Sequence, residues 1–314
     1  MNHLTRRLAL SCGTAVALGG LAQAATPVSN CGLRFSVNTP PKRAVTLNQG
    51  ATEVMLALGL QDRMVGTAYL DDAILPALKA AYDRVPVLAK EYPSREVLLN
   101  AAPDFIYGSY GSAFGKDVAG ARAELLKQKV TPYLSPIGCE DKALRPKQMR
   151  PEDIYTEIMT VARIFGVPER GTALVGRLRR EALEAQGMAR PGPAPKVWWY
   201  DSDTKTPFTG GCCGAPGMIL RLIGARNVFE DLDGSWKGVS WETVLGREID
   251  AIVVVDASWD TARSKIEYLT SNPQFAAIPA VRERRFIVVP FSETTPGVRV
   301  MNGAKTVAKG LYQR

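Results

Sequence analysis

With 314 residues, 46% of them hydrophobic and 22% charged, and a net charge of +8, the chain is composed like a soluble globular protein of one large or two modest domains. Its basic residues are scattered over helical stretches without interleaved aromatics, which argues against nucleic acid as a partner. The single histidine, His3, lies in the N-terminal segment, so histidine-based metal centres and Ser-His or Cys-His catalytic pairs are excluded from the folded part.

Residues 1–24 read as an export signal. Arg6 and Arg7 precede an apolar stretch over 8–21, and Ala22-Gln23-Ala24 has the small-residue form of a cleavage site after Ala24. The expected location is the periplasm. Of the cysteines beyond the signal, Cys31 and Cys139 are the simplest disulfide pair in that oxidising compartment, which leaves Cys212 and Cys213 as a separate adjacent pair.

Residues 25–150 alternate strand and helix. The pattern predicts strands over 44–47, 65–69, around 87–88, 103–107 and 131–134, with helices between them at 52–58, around 75–81, 94–100 and 119–128. Ser94 is placed to cap its helix. Short links between unlike elements argue for a mostly parallel sheet covered on both faces.

Residues 151–190 carry two helical runs. Ile154, Ile158, Val161 and Phe165 line one face up to the break at Gly166-Val167-Pro168, and Leu174, Val175, Leu178 and Ala182 line the next. After the stiff boundary Pro191-Gly192-Pro193-Ala194-Pro195, residues 191–314 start the alternation again. Strands are expected over 197–200, 249–255 and 286–289, and helices over 218–223, 239–245, 265–270 and 303–310.

The halves also repeat in sequence. Glu96 through Ile106 aligns without gaps on Glu242 through Ile252 at a constant spacing of 146 residues. The expected architecture is therefore α/β: two Rossmann-like lobes with mostly parallel sheets, joined by a long helical spine. Ligands of open α/β sheets bind beyond the carboxyl ends of the strands, so two facing lobes make a cleft. The loops there supply the candidate ligand-binding set Asn48, Gln49, Tyr69, Tyr92 and Tyr110 from the first lobe, with Asp71, Asp72 and Glu91 beside them. The second lobe supplies Trp199, Asp203, Phe208, Cys212, Cys213, Trp236, Trp259 and Glu293. Aromatics and carboxylates at one cleft suit a ligand with flat or apolar parts and a positive or metal-bearing part.

On the strength of Arg43 through Leu47, the two Glu96 and Glu242 segments, the break and spine at 164–175 and Arg285 through Val289, the chain resembles the periplasmic substrate-binding proteins of ABC importers. The resemblance is to the helix-spined class that carries iron–siderophores, haem and cobalamin, and it covers residues from about 40 to 310. It implies a monomeric receptor, not an enzyme, with no cofactor of its own. The receptor would bind a small metal chelate or corrinoid and pass it to a membrane permease, with Glu96 and Glu242 meeting arginines of that partner. A flat aromatic ligand such as a deazaflavin precursor fits the same cleft. The competing class is an exported thiol or redox enzyme built on Cys212-Cys213. For that pair a vicinal disulfide, a soft-metal dithiolate and two buried free thiols stand side by side, and no metal is assigned.

Overall fold

The structure, a computed structural model, describes residues 25–313, and the export signal read at 1–24 lies outside them. The described chain opens with a hairpin that the sequence reading lacks. β1 (Thr26–Asn30) and β2 (Leu33–Val37) pair antiparallel around Cys31-Gly32, where φ values of 45° and 82° make the tight reversal. Cys31 is bonded to Cys139 with the Cα atoms 5.2 Å apart. The Asn30 side chain pairs with both backbone groups of Leu134, and Arg122 donates to the Cys31 carbonyl at 2.7 Å. These contacts pin the hairpin to the first lobe.

The first sheet contains β3 (Ala44–Leu47), β4 (Met64–Ala68), β5 (Val87–Ala89), β6 (Phe105–Gly108) and β7 (Thr131–Leu134). Their order is β5-β4-β3-β6-β7, and every pair is parallel. Helices α1 (Gln49–Ala57), α2 (Lys79–Tyr82), α3 (Arg95–Asn100) and α4 (Arg122–Lys127) link them. The helical segment then follows as α5 (Pro151–Ile164) and α6 (Pro168–Gln186). Gly166, with φ 69°, ends the first, and Pro168 opens the second. The spine is not one straight rod. Gly171 of α6 lies so close over α5 that a Cβ there would stand 2.6 Å from the Ala162 Cβ.

The second sheet is mixed. It contains β8 (Lys196–Ser202), β9 (Phe208–Gly210), β10 (Arg226–Asn227), β11 (Trp236–Gly238), β12 (Ala251–Asp256) and β13 (Phe286–Pro290), ordered β11-β9-β8-β12-β13 with β10 also on β8. The central strands β8, β12 and β13 are parallel, while β9 runs antiparallel to its neighbours. Helices α7 (Ala215–Leu222), α8 (Trp241–Leu245), α9 (Ala262–Ser271), α10 (Pro279–Arg282) and α11 (Val300–Tyr312) complete the lobe. Strands β8 and β12 are apolar along most of their length because both sheet faces are covered. Trp198 and Trp199 point to opposite faces and both are fully buried, each in a different core cluster.

One core cluster runs through the molecule, from Phe105 and Tyr107 of the first lobe, through Ile158 and Leu178, to Trp199 and Val253 of the second. α6 packs on α5, α7 and α11. Glu157 of α5 accepts from Tyr107 at 2.5 Å and Ser135 at 2.9 Å, and burial pushes its carboxyl up to about 7.

A second tie crosses between the lobes directly. Glu53 on α1 and Arg299 at the start of α11, both buried, form a two-pronged ion pair with Arg299 Nε 2.7 Å from Glu53 Oε2. Arg299 also donates to the Ala73 carbonyl at 2.7 Å and to Ser292 Oγ at 3.0 Å. Asp72 accepts from the Ser292 amide at 2.7 Å. Arg299→Met leaves Glu53 buried without its partner, and a loss of about 3–5 kcal/mol is expected in denaturant unfolding. A loss below about 1 kcal/mol would show the pair to be no more than a surface-like contact.

Candidate functional site

The segments that leave the parallel strands converge on one cavity of about 590 Å³. Asn48 follows β3, Tyr69, Leu70 and Asp71 follow β4, and Lys90, Glu91 and Tyr92 follow β5. Tyr110 and Ser112 follow β6. From the other lobe, Ser258 and Trp259 follow β12 and Phe291 follows β13. Each lining residue thus sits beyond a strand's carboxyl end, where chain direction and open backbone groups favour ligand sites.

The chain bends sharply to reach this position. Asn48 and Tyr69 hold φ values of 79° and 61° directly after their strands, and Asp203 holds 65° just after β8. Such conformations cost on the order of 1–3 kcal/mol for residues other than glycine, so neighbouring contacts must hold them. The Asn48 side chain bonds the Tyr92 hydroxyl at 2.9 Å and accepts from the Ser109 amide at 3.3 Å. Tyr92 in turn meets Ser112 Oγ at 2.8 Å, and its ring lies 4.6 Å from that of Tyr69. Burial pushes the Tyr92 and Tyr110 hydroxyls above their usual range, so both stay protonated donors. Across the cavity, Trp259 and Phe291 meet edge to face at 4.9 Å. Two aromatic pairs, one from each lobe, therefore line one space.

Beneath this lining, Gln49 is buried. Its Oε1 accepts from the Asp71 and Asp72 amides at 3.0 and 2.8 Å, and its Nε2 donates to Glu53 at 3.1 Å. It shapes the loop after β4 and borders a small adjoining recess with Asp71 and Tyr110. On the other side, the buried Lys265 Nζ donates to the Asp201 and Asp260 carbonyls at 2.6 and 2.7 Å, which fixes the loop that carries Trp259.

Seven of the residues expected from sequence line the cavity: Asn48, Tyr69, Asp71, Glu91, Tyr92, Tyr110 and Trp259. Others do not. Trp199 is core, because the face it points to is covered by helices and not open to the cleft. Glu293 is buried and turned onto α11, where it accepts from Asn302 and Thr306. Asp203 is exposed and accepts from the Lys205 amide in its own turn. Phe208 and Trp236 stack on each other at 6.1 Å along β9 and β11, on the far edge of the second sheet from β13. Cys212 and Cys213 follow that same edge, are bonded to each other, and are absent from the cavity lining. Leu70, Lys90, Ser112, Ser258 and Phe291 line the cavity without being among the residues expected from sequence. Phe291 directly follows β13, so the strand-end rule, applied to every strand, would have found it.

Glu96 and Glu242 occupy equivalent places. Each is the second residue of a short helix whose capping serine, Ser94 or Ser240, accepts from the amide three residues on, at 3.3 and 3.1 Å. Both are exposed and lack a side-chain partner among the described residues. Val97, Leu99 and Leu245 lie exposed beside them.

Asp71 is the cavity carboxyl whose ionisation is most disturbed. Burial first, and neighbouring Asp72 second, raise it from 3.8 to about 6. The folded state then holds a proton that the unfolded state releases between those values, so Asp71 lowers stability as pH rises through this window. Asp71→Asn is expected to raise the melting temperature at pH 7 and to leave it unchanged near pH 3.5. An equal rise at both pH values would contradict this.

A family model described as a periplasmic binding protein matches residues 45–293. The ABC transporter substrate-binding lipoprotein YvrC of Bacillus subtilis (strain 168), itself described as uncharacterised, is 23% identical over 281 residues, spanning 88% of this chain and 82% of its own. A solved periplasmic binding protein from Veillonella parvula DSM 2008 superposes with a TM-score of 0.83 at 33% identity, covering 93% of this chain and 99% of that one. An Fe3+-hydroxamate transport-system structure from Saccharomonospora viridis DSM 43017 shares the fold, with a TM-score of 0.74 at 22% identity over 91% and 98% of the two chains. No helix among the described residues is long and apolar enough to cross a membrane. The family match spans both sheets, the helices between them and all of the cavity lining, and the chain belongs to the periplasmic binding protein family.

Proposed function

We propose that this protein is the receptor of an ABC importer for a metal chelate, siderophore-like or corrinoid, held between the Tyr69–Tyr92 and Trp259–Phe291 pairs. The cavity carries the proposal. Its volume of about 590 Å³ suits a chelate-sized ligand, and its two aromatic pairs come from opposite lobes. Flat or apolar ligand parts stack on the rings. Asp71 and Glu91 oppose positive or metal-bearing parts, while Lys90 and the tyrosine hydroxyls donate to ligand oxygens. The Fe3+-hydroxamate structure of the same fold supports the chelate class.

Delivery rests on Glu96 and Glu242. Each is exposed and unpaired, and each stands on the same kind of serine-capped helix in its own lobe. Arginines on a permease would pair with both, steering encounter and fixing register more than adding affinity. Apolar Val97, Leu99 and Leu245 border the contact.

Two measurements test this reading. A thermal-shift panel of ferric hydroxamates, other ferric siderophores and cobalamin is expected to yield at least one stabiliser, and a ligand at 100 times its Kd adds about 2.7 kcal/mol. Trp259 is 55% exposed in the free protein and would be covered by the ligand, so Trp259→Ala should weaken that ligand about tenfold or more. No shift with any chelate or corrinoid overturns the ligand class. For delivery, Glu96→Ala/Glu242→Ala should bind ligand normally yet fail to stimulate ATP hydrolysis by the cognate permease in vesicles. Full stimulation would refute the docking role.

A further inference from the structure

The Cys212–Cys213 pair lies outside the cavity and is unused by the proposed transport function. Its surroundings are built closely around it. The Cys212 amide donates to the Leu232 carbonyl at 3.2 Å and the Cys213 amide to that of Gly234 at 3.3 Å. The Cys213 carbonyl accepts from the Met149 amide at 2.9 Å. Arg221 bridges the Cys212 and Met149 carbonyls at 2.7 and 3.0 Å. The flanking glycines are there for space. A Cβ on Gly211 would stand 2.5 Å from the Gly234 carbonyl oxygen, and one on Gly217 would stand 2.2 Å from that of Cys212. The chain is thus held tightly, with the two sulfurs facing the loop 232–234.

That loop brings a third ligand group. The Cys212 and Cys213 sulfurs and an Asp233 carboxylate oxygen all lie within 4.8 Å of one another, and the Cys212 sulfur is 3.8 Å from the Gly234 carbonyl oxygen. Asp233 is exposed, so the cluster opens to solvent on one side. Two sulfurs and a carboxylate form a set of the kind that soft divalent ions prefer, with an open position for a further ligand. In the bonded state the sulfurs are spent on each other.

We propose that Cys212, Cys213 and Asp233 form a redox-gated site for a soft divalent cation, closed as the disulfide and open as the dithiol. A dithiol reductant opens it. Its thiolate attacks one sulfur to form a mixed disulfide, and its second thiol then releases the pair. Two electrons and two protons pass to Cys212 and Cys213 while the reductant becomes a disulfide. Metal binding forms two metal–sulfur bonds and one metal–carboxylate bond, and it releases the two thiol protons. This site is separate from the aromatic cavity, so its failure leaves the transport reading untouched.

Cadmium(II) is the probe, with the near-ultraviolet sulfur-to-cadmium absorption band and the cadmium content after gel filtration as readouts. Full-length mature protein is tested oxidised, and again after treatment with a dithiol that is then removed without air. The reduced protein is expected to hold one cadmium per chain with the band, and the oxidised protein none. Cys212→Ser/Cys213→Ser, which keeps Cys31 and Cys139, should lose the band under reducing conditions. Asp233→Asn should keep the sulfur band but release cadmium about tenfold more readily to a competing chelator. Three results would overturn the proposal: no cadmium on the reduced protein, equal cadmium on the oxidised protein, or an unchanged band in the double serine variant. The first two comparisons use the unaltered chain, so a folding defect in the variant does not blunt the test.

Discussion

The buried pair between Glu53 and Arg299 is the constraint on which the cleft depends. It joins the first helix of one lobe to the last helix of the other, and its remaining hydrogen-bonding capacity is spent on the cleft's own loops. Arg299 holds the Ala73 carbonyl, and Asp72 in turn holds the Ser292 amide. The loop after β4, which carries Tyr69 and Asp71, and the loop after β13, which begins with Phe291, are therefore fixed relative to each other. A charge pair taken out of water gives little net stability, but one satisfied on every side specifies a single arrangement. Here that arrangement sets the distance between the two aromatic walls of the cavity.

Local strain serves the same end. Asn48 and Tyr69 leave their strands with positive φ, which a lone side chain would avoid. They are held by a short chain of contacts running from Ser109 through Asn48 and Tyr92 to Ser112, with Tyr69 against the Tyr92 ring. Two of the strained residues, Asn48 and Tyr69, themselves line the cavity. Lys265 plays the supporting part in the second lobe, where its buried Nζ joins the Asp201 carbonyl near the end of β8 to the Asp260 carbonyl in the loop after β12. Much of the ordering of these loops is thus supplied by the fold itself, which limits the ordering cost that binding must offset.

Most of the fold was legible from sequence because alternation and periodicity are local signals. The apolar runs at Ala44–Leu47 and Ala251–Asp256, the serine cap at Ser94 and the break at Gly166 each announce themselves within a few residues, whereas the helix expected from 239 begins at Trp241 behind its cap Ser240. The repeat from Glu96 to Glu242 carried the two-lobe plan. The site was half legible. Residues expected just after a strand in the first lobe do line the cavity, since strand ends are predictable there. Trp199 and Glu293 were misplaced because their burial depends on which long-range surface covers them, namely helices packed on β8 and the polar face of α11. Phe208, Trp236 and the cysteine pair fell on the wrong edge because the antiparallel turn into β9 is set by tertiary packing. The opening hairpin was missed because its strands are short and half exposed, and its anchors, Leu134 and Cys139, lie a hundred residues away.

We propose above all that the aromatic cavity between the lobes captures a metal chelate. Native mass spectrometry of the protein taken gently from the cells that make it tests this most directly. The expected result is a mass adduct of siderophore or corrinoid size that carries a metal isotope signature and disappears in Trp259→Ala. An adduct of a metal-free molecule, or an adduct retained unchanged in that variant, would contradict it.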